Sequence, residues 1–332
     1  MHLVIIGYYH LADEFLALAE VFRKNTWEVS FFPMLYYKQS SEWEKIFKKF
    51  LDGTAVKNSI LCNKKIDVCL WWYDIANLQY DKLNYVINNK IIHICYNFDP
   101  SYLPCKDNVW KNKKKNKDKN SSLMNYVITV NPYEYHNLNH KNIFLCPPGY
   151  EEKYFFPKKD KKYICDVSIV CTNLYDAKEW KNVKQLINRK KIVDLIYNDK
   201  DIDFLIFGPQ KFKSLYPKSY RGFLNYKDCN KVFYNSKINI CIQAVSIDGY
   251  LSERVPQVFA SGGLVLIDSK IGYGFEEGED YILIDENNPL KQIKSLLKDP
   301  KKMKKIRENA LKKSHCLKWD KLFNIVKNIS IK

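Results

Sequence analysis

Three polar residues in the stretch 246–268 have the types and spacing of an anion-binding site. Ser252 and Arg254 lie where a short helix is expected to begin, and Gln257 follows one turn later on the same helix face as Arg254. The first turn of a helix has free backbone N–H groups, and an arginine can add two parallel hydrogen bonds to a phosphate. The pattern therefore predicts diphosphate binding. The alternative interpretation is an ordinary helix, glycine turn and strand with a surface arginine.

The sequence around these residues resembles the donor-site signature of GT-B glycosyltransferases, in particular the spore-maturation CgeB-like group. In that signature, an arginine is followed by a glutamate three positions later, a turn with paired glycines, and an apolar strand that ends in aspartate. The chain has Arg254, Gln257, Gly262-Gly263 and Asp268 at the corresponding places.

Other motifs of the same family agree with the chain in order and spacing. They lie at residues 126–130 with 147–157, at residues 166–175, and at residues 204–224. The resemblance covers residues 126–315, whereas residues 1–125 agree only in architecture.

The resemblance implies a site for a nucleotide-sugar donor, with Arg254 at the diphosphate and Gln257 at the ribose. The family usually has glutamate at the position of Gln257; glutamine keeps one acceptor oxygen and carries no charge. The other donor-binding residues that it implies are Ser252 at the diphosphate, Asn173 and Tyr175 on the phosphate side, Gly208 beside the nucleotide, Phe223 and Leu224 at the base, and Asp248, Gly249 and Tyr250 at the transferred sugar.

Three residues of the first half are candidates for the catalytic group on the acceptor side: His10, Asp99 and Asp74. Each follows a predicted strand, and ligands of parallel sheets gather at the carboxyl ends of the strands. Asp99 also precedes Pro100, and an aspartate before proline is a common turn former. The sequence leaves the choice among the three open.

The tripeptide Asp201-Ile202-Asp203 matches the D-x-D motif of metal-dependent glycosyltransferases of the other major fold. It precedes a predicted strand, whereas a metal-binding pair in such a sheet should follow one. We therefore expect no required metal and no cofactor, the nucleotide sugar being a co-substrate. The helix dipole and basic side chains are expected to neutralise the leaving diphosphate.

The elements that must position these residues alternate along the chain. Short apolar runs alternate with segments of helical periodicity, a pattern typical of parallel sheets covered by helices. The pattern occurs twice, on either side of a proline- and lysine-rich stretch at 147–162. We predict an α/β protein with the GT-B fold, in which two Rossmann-like domains have parallel sheets facing across a cleft.

The predicted domains are an acceptor-side domain at 1–157, a nucleotide-sugar-binding domain at 158–315, and a terminal helix at 316–332 that packs back on the first domain. The lysine-rich segment 111–120 is expected to be a solvated loop.

Composition sets further expectations. The net charge of +17 favours anionic partners, although a lysine-rich codon bias would produce the same excess without any binding function. The ten cysteines form no C-x-x-C pair, which suits a reducing compartment. With no apolar run long enough to span a bilayer and no basic leader, the expected location is the cytoplasm.

The resemblance thus implies metal-independent transfer of a sugar from a UDP- or GDP-sugar to a glycan, protein or small-molecule acceptor. A nucleic-acid-modifying glucosyltransferase, a sugar-nucleotide epimerase and a non-catalytic sugar-nucleotide-binding protein are the alternatives. Scattered lysines, with aromatic and basic residues interleaved only near 216–221, argue against a nucleic acid partner. The sequence leaves the donor base, the acceptor, the stereochemical outcome and the oligomeric state open.

Overall fold

The computed structural model describes residues 1–7, 13–37, 42–54, 56–57, 59–61, 65–87, 90–98, 108–174, 184–243 and 246–331. Contacts within the chain divide it into two units. The first comprises residues 1–147 and 319–332, and the second comprises residues 148–318.

The first unit contains a six-stranded sheet in the order β2-β1-β3-β4-β5-β6, with every neighbouring pair parallel. Its strands are β1 (His2–Gly7), β2 (Glu28–Pro33), β3 (Val68–Trp71), β4 (Ile92–Asn97), β5 (Tyr126–Thr129) and β6 (Ile143–Leu145). The helices in its residues 1–147 are α1 (Asp13–Lys24), α2 (Met34–Tyr37), α3 (Trp43–Leu51), α4 (Tyr80–Val86), α5 (Asn108–Ser121) and α6 (Pro132–Asn137).

Helix α3 shows how the first core is built. Its aromatic residues Trp43, Phe47 and Phe50 recur at helical spacing and are buried on one face. The Phe47 ring lies 4.7 Å from the Phe32 ring and 5.2 Å from the Trp71 ring of the sheet. Strands buried on both faces explain why the sheet segments are continuous apolar runs.

The prediction of a solvated loop at 111–120 is wrong, because this segment belongs to α5. Lys117 is only 1% exposed and forms an ion pair with the buried Glu134 at 3.0 Å. Asn120 donates hydrogen bonds to the carbonyl oxygens of Ile75 and Leu78. A lysine-rich segment can therefore cover a core where its apolar stems pack inward and a buried carboxylate neutralises the inward-facing charge.

The second unit contains a five-stranded sheet in the order β11-β10-β9-β7-β8, again with parallel neighbours. Its strands are β7 (Cys165–Val170), β8 (Phe204–Phe207), β9 (Ser236–Ile240), β10 (Val265–Ile267) and β11 (Ile282–Leu283). Its helices are α7 (Lys184–Asn198), α8 (Lys211–Leu215), α9 (Cys229–Asn235), α10 (Arg254–Ala260), α11 (Pro289–Leu297) and α12 (Pro300–Lys313).

Helices α11 and α12 each begin with a proline. Pro289 and Pro300 occupy the first turn of each helix, where the missing N–H costs nothing. The Asp299 side chain caps α12 by accepting a hydrogen bond from the Lys302 N–H at 2.9 Å.

The final helix, α13 (Asp320–Ser330), belongs to the first unit. Phe323 packs against Phe22 of α1 with ring centroids 5.1 Å apart, and the preceding Trp319 lies 5.4 Å from Trp72. Among the described residues, no helix is both long and apolar enough to cross a bilayer.

Each sheet contains a point where the strand order changes direction. In the first sheet, β1 lies between β2 and β3; in the second, β7 lies between β8 and β9. In open parallel sheets, ligands bind in the crevice at the carboxyl ends of the strands at such points. The two positions are therefore the ends of β1 and β3 in one unit and of β7 and β9 in the other.

Candidate functional site

Arg254 lies at the carboxyl ends of β7 and β9. It is the first residue of α10, and its charge acts on the buried thiols of Cys171 and Cys241, which directly follow these two strands. Burial raises the pKa of Cys241 to about 12, and the Arg254 guanidinium acts in the opposite direction. The guanidinium is therefore close to the switch point of the second sheet.

Three polar side chains at this place have no partner among the described residues. Arg254 is half-buried and forms neither an ion pair nor a hydrogen bond with any of them. The Ser252 Oγ atom is buried without a hydrogen bond, and the Gln257 side chain, 7% exposed, makes none either. Because buried polar groups are normally satisfied, this set indicates a place for a polar ligand.

The turn after α10 has the geometry expected from its paired glycines. Gly262 has a φ of 70°, which favours glycine. A side chain on Gly263 would lie 2.6 Å from the Phe233 carbonyl oxygen. The pair therefore allows α10 to turn tightly into β10, whose end carries Asp268.

Gln243 is a buried residue at the site that the sequence analysis missed. Its side-chain oxygen accepts from the Ser252 N–H at 2.6 Å, and its amide nitrogen donates to the Tyr250 carbonyl oxygen at 3.1 Å and to Ser269 Oγ at 2.8 Å. Its backbone N–H donates to Asp268 Oδ1 at 2.9 Å. The available signal was a polar residue shortly after a buried strand, since Gln243 lies three residues beyond the end of β9.

Asp268 lies beneath the same loop. Burial raises its pKa to about 6, while the hydrogen bond from Gln243 and the nearby Arg189 charge act in the opposite direction. The last residue of the signature therefore contacts the residue that holds the loop.

Arg189 is the second residue that the sequence did not indicate. It is 5% exposed and donates hydrogen bonds to the carbonyl oxygens of Asn173, at 2.7 Å, and of Ile242. These contacts join the segment after β7 to the end of β9 and place Asn173 at the switch point. In the sequence, Arg189 lies among lysines and looks like a surface residue.

Gly208 and the segment after it border the site from β8. A methyl group on Gly208 would lie 2.2 Å from the Cys171 carbonyl oxygen, so its small size allows β8 and β7 to approach closely at their ends. Phe223 follows Gly222, whose φ is 94°, and is 72% exposed. Leu224 instead packs partly into the core.

The segment 248–250, predicted to face the sugar, is docked on the loop after β10. Asp248 Oδ1 accepts from the Lys270 N–H at 3.1 Å, and the Gly249 N–H donates to the Lys270 carbonyl oxygen at 2.8 Å. Gly249 has a φ of 81°, and Tyr250 is buried. The backbone of this segment is therefore fixed a few residues before Arg254 in the chain.

The candidates of the first half are less fully defined. His10, Asp99 and the donor-side Tyr175 lie outside the described residues. Asp74 follows β3 at the switch point of the first sheet, where its side chain accepts from the Ala76 N–H at 3.1 Å and from Asn77 Nδ2 at 3.2 Å. It thus caps the short helix Ile75–Asn77.

The D-x-D motif lies at the other edge of the second sheet. Asp201 is 81% exposed and pairs with Lys294 at 2.9 Å, and Asp203 directly precedes β8. Within the described ranges, no three His, Cys, Asp or Glu side chains come together as a metal site requires.

Comparison with known proteins agrees with this architecture. Residues 185–319 match the model of a family described as glycosyl transferase-like. No curated protein sequence matches the chain.

Solved structures match over the whole length. HepE from Anabaena, in complex with UDP-glucose, has a TM-score of 0.67 at 11% identity, with 100% of each chain covered. Sucrose-phosphate synthase from Thermosynechococcus elongatus has a TM-score of 0.66 at 11% identity, with 99% of each chain covered. An α-glucosyltransferase in complex with UDP and a mismatched 13-mer DNA has a TM-score of 0.59 at 13% identity, covering 100% of this chain and 99% of its own.

At identities this low, structural similarity shows the fold alone. It confirms the predicted fold class. The CgeB-like subgroup stays a prediction. The chain has the GT-B fold of two Rossmann-like domains, and its residues 185–319 match a glycosyltransferase-like family model.

Proposed function

We propose that the chain is a glycosyltransferase whose donor, a UDP-sugar, binds at the carboxyl edge of the second sheet. The observation that carries the proposal is Arg254, a half-buried cation at the switch point with no counter-ion among the described residues. We prefer UDP as the nucleotide of the donor because similar structures were solved with UDP or UDP-glucose.

The roles follow from the chemistry of each group. Arg254 binds the diphosphate through its planar fork, and the buried Ser252 hydroxyl donates to the same phosphates. Gln257, one turn along α10, accepts from a ribose hydroxyl. Phe223, with its exposed ring, stacks on the uracil base. In the transfer step, Arg254 stabilises the negative charge that develops on the leaving UDP.

We extend the proposal to metal independence and to the acceptor. The Arg254 guanidinium supplies the positive charge that a divalent ion supplies in metal-dependent enzymes, so donor binding should survive chelation. The acceptor is a glycan or a protein, and a residue at the carboxyl edge of the first sheet removes its proton. Asp74 is the candidate for this base that the structure describes.

The test is calorimetric titration of UDP into the wild-type chain and three variants. Arg254→Ala should weaken binding about ten- to a hundredfold, the value of a charge-assisted hydrogen bond. Arg254→Lys should recover only part of this loss, since an ammonium cannot form the planar fork. Lys237→Ala is the matched control: it removes one positive charge at the amino end of β9, where Lys237 pairs with Asp166.

Two further arms sharpen the result. Titration in EDTA should give the wild-type affinity, and loss of binding that Mn²⁺ restores would contradict metal independence. Gln257→Glu should maintain or strengthen UDP binding, because a carboxylate offers two acceptors to the ribose. Equal affinity of wild type and Arg254→Ala would place the diphosphate elsewhere and end the proposal.

A further inference from the structure

Gln243 holds together three segments at the carboxyl edge of the second sheet. Its side chain is fully buried and bridges the end of β9, the Tyr250–Ser252 loop and the residue after Asp268. We propose that Gln243 is a positioning residue that fixes the loop entering α10, so that Arg254 is held in place for the donor diphosphate. The inference rests on the proposed function of Arg254.

Both the nitrogen and the oxygen of the Gln243 side-chain amide form hydrogen bonds. A glutamine side chain has two N–H donors and one acceptor oxygen, and here the donors reach Tyr250 and Ser269 while the oxygen accepts from Ser252. Displacing the loop would leave these groups buried and unsatisfied, which is unfavourable. The hydrogen bonds therefore favour one position of the loop.

Arg254 comes two residues after Ser252, whose N–H donates to the Gln243 side chain. The Arg254 side chain makes no hydrogen bond to the described residues that could hold it in place, so its position depends on where its backbone lies. Charge-assisted hydrogen bonds depend on geometry, and a displaced guanidinium loses its bidentate contact. Gln243 thus acts on the ligand through Arg254, without touching the ligand itself.

Gln292 provides a matched control in the same unit. Its side chain also bridges two backbone groups, accepting from the Asp285 N–H at 2.8 Å and donating to the Leu283 carbonyl oxygen at 2.7 Å. These contacts tie the loop after β11 to α11 rather than to the Arg254 loop. Loss of a bridging glutamine can therefore be compared at the two places.

The experiment measures UDP affinity by calorimetry and melting temperature for Gln243→Met and Gln292→Met. Both variants should lose stability, because both leave backbone groups unsatisfied. Gln243→Met should raise the Kd for UDP about tenfold, the value of one charge-assisted hydrogen bond. Gln292→Met should leave the Kd unchanged. If Gln243→Met folds poorly, Ser269→Ala, which removes one acceptor of the amide, should show a smaller increase of about two- to threefold.

A double variant tests whether Gln243 acts through Arg254. In the Arg254→Ala background, Gln243→Met should weaken UDP binding much less than it does in the wild type, because Ser252 is then the only proposed phosphate contact left on the loop that Gln243 holds. An unchanged Kd in Gln243→Met, or its full effect persisting in the Arg254→Ala background, would overturn the inference.

Hydrogen exchange separates this inference from the proposed function. Without nucleotide, the Ser252 amide should exchange faster in Gln243→Met than in wild type or Gln292→Met. Equal exchange would show that Gln243 does not hold the loop, whatever UDP does. Failure of wild type to bind UDP, or equal binding by Arg254→Ala, would instead refute the donor site itself.

Discussion

At the residue scale, the site separates polar side chains that hydrogen-bond to the surrounding fold from those that do not. Gln243 and Arg189 bind neighbouring backbone groups, Gln243 also binding the Ser269 hydroxyl, and so fix the ends of β7 and β9. Arg254 and Gln257 have no such contacts to the described residues. A binding site needs both kinds, since rigid supports hold the unbonded groups where a ligand can satisfy them.

Asp268 leads to a prediction about pH. Burial raises its pKa to about 6 in the folded chain, above the ordinary value of 3.8, so the folded state holds the proton more tightly than the unfolded state. Folding is therefore favoured below about pH 4, and this stability is lost as pH rises through 6. Asp268→Asn keeps an acceptor for the Gln243 N–H and removes the buried charge.

We expect Asp268→Asn to gain stability relative to wild type above pH 6 and to gain none at about pH 4. The upper limit is roughly 3 kcal/mol, from about 1.4 kcal/mol for each pH unit between the two pKa values. Urea unfolding at both pH values measures it. A stability difference that is the same at both would show that the Asp268 carboxyl titrates normally.

At the element scale, the junction of β7 and β8 depends on Gly208. A methyl group there would lie 2.2 Å from the Cys171 carbonyl oxygen and 2.5 Å from the Phe212 ring, so the strand ends must separate to accept it. Gly208→Ala should destabilise the chain by about 1–3 kcal/mol through overpacking. It should also weaken UDP binding, because a shift of Cys171 would displace Asn173, the residue two positions later that is predicted to lie on the phosphate side of the donor.

Gly53→Ala is the comparison for this prediction. Gly53 has a φ of 85° and open space around it, so alanine there meets only backbone strain of about 1–2 kcal/mol. Its UDP affinity should equal that of the wild type. Chemical denaturation and UDP titration of both variants decide the matter; an affinity loss in both would mean that stability alone sets UDP binding.

The alternation of elements could be predicted from the sequence because it depends on local periodicity. Strands buried on both faces are apolar runs, and the starts of α11 and α12 carry proline with a preceding cap residue. The burial of Lys117 could not be predicted, because it depends on a carboxylate that α6 supplies. Arg189 and Gln243 were missed for a related reason: only the fold brings their partners to them, the Asn173 and Ile242 carbonyl oxygens to Arg189 and groups of Tyr250, Ser252 and Ser269 to Gln243.

At the scale of the whole molecule, both units use one design, a parallel sheet whose strand order reverses once. The sequence showed this doubling and the segment around Arg254, because both are patterns in consecutive residues. It did not show which residues support the motif. The fold was therefore more accessible from the sequence than the geometry of the site.

The net charge of +17 raises the question of nucleic acid, since one similar structure contains DNA. Many lysines of this chain are neutralised locally, in ion pairs such as Lys190 with Asp194 and Lys231 with Asp228. Dispersed charge of this kind gives only weak, sequence-independent attraction to DNA. Added salt removes this attraction, because the release of counterions from the DNA is less favourable at high salt.

We therefore expect a labelled DNA duplex to bind only at low salt and to be released at physiological ionic strength, about 0.15 M. UDP affinity should not change when excess duplex is present, because the dispersed surface lysines that attract a duplex are separate from the diphosphate site proposed at Arg254. Fluorescence anisotropy across a salt series measures the first, and calorimetry with and without duplex measures the second. Submicromolar DNA binding that persists at physiological salt would contradict the expectation. It would favour the nucleic-acid-modifying alternative, because phosphate contacts beyond the dispersed surface lysines would then be needed to hold the duplex.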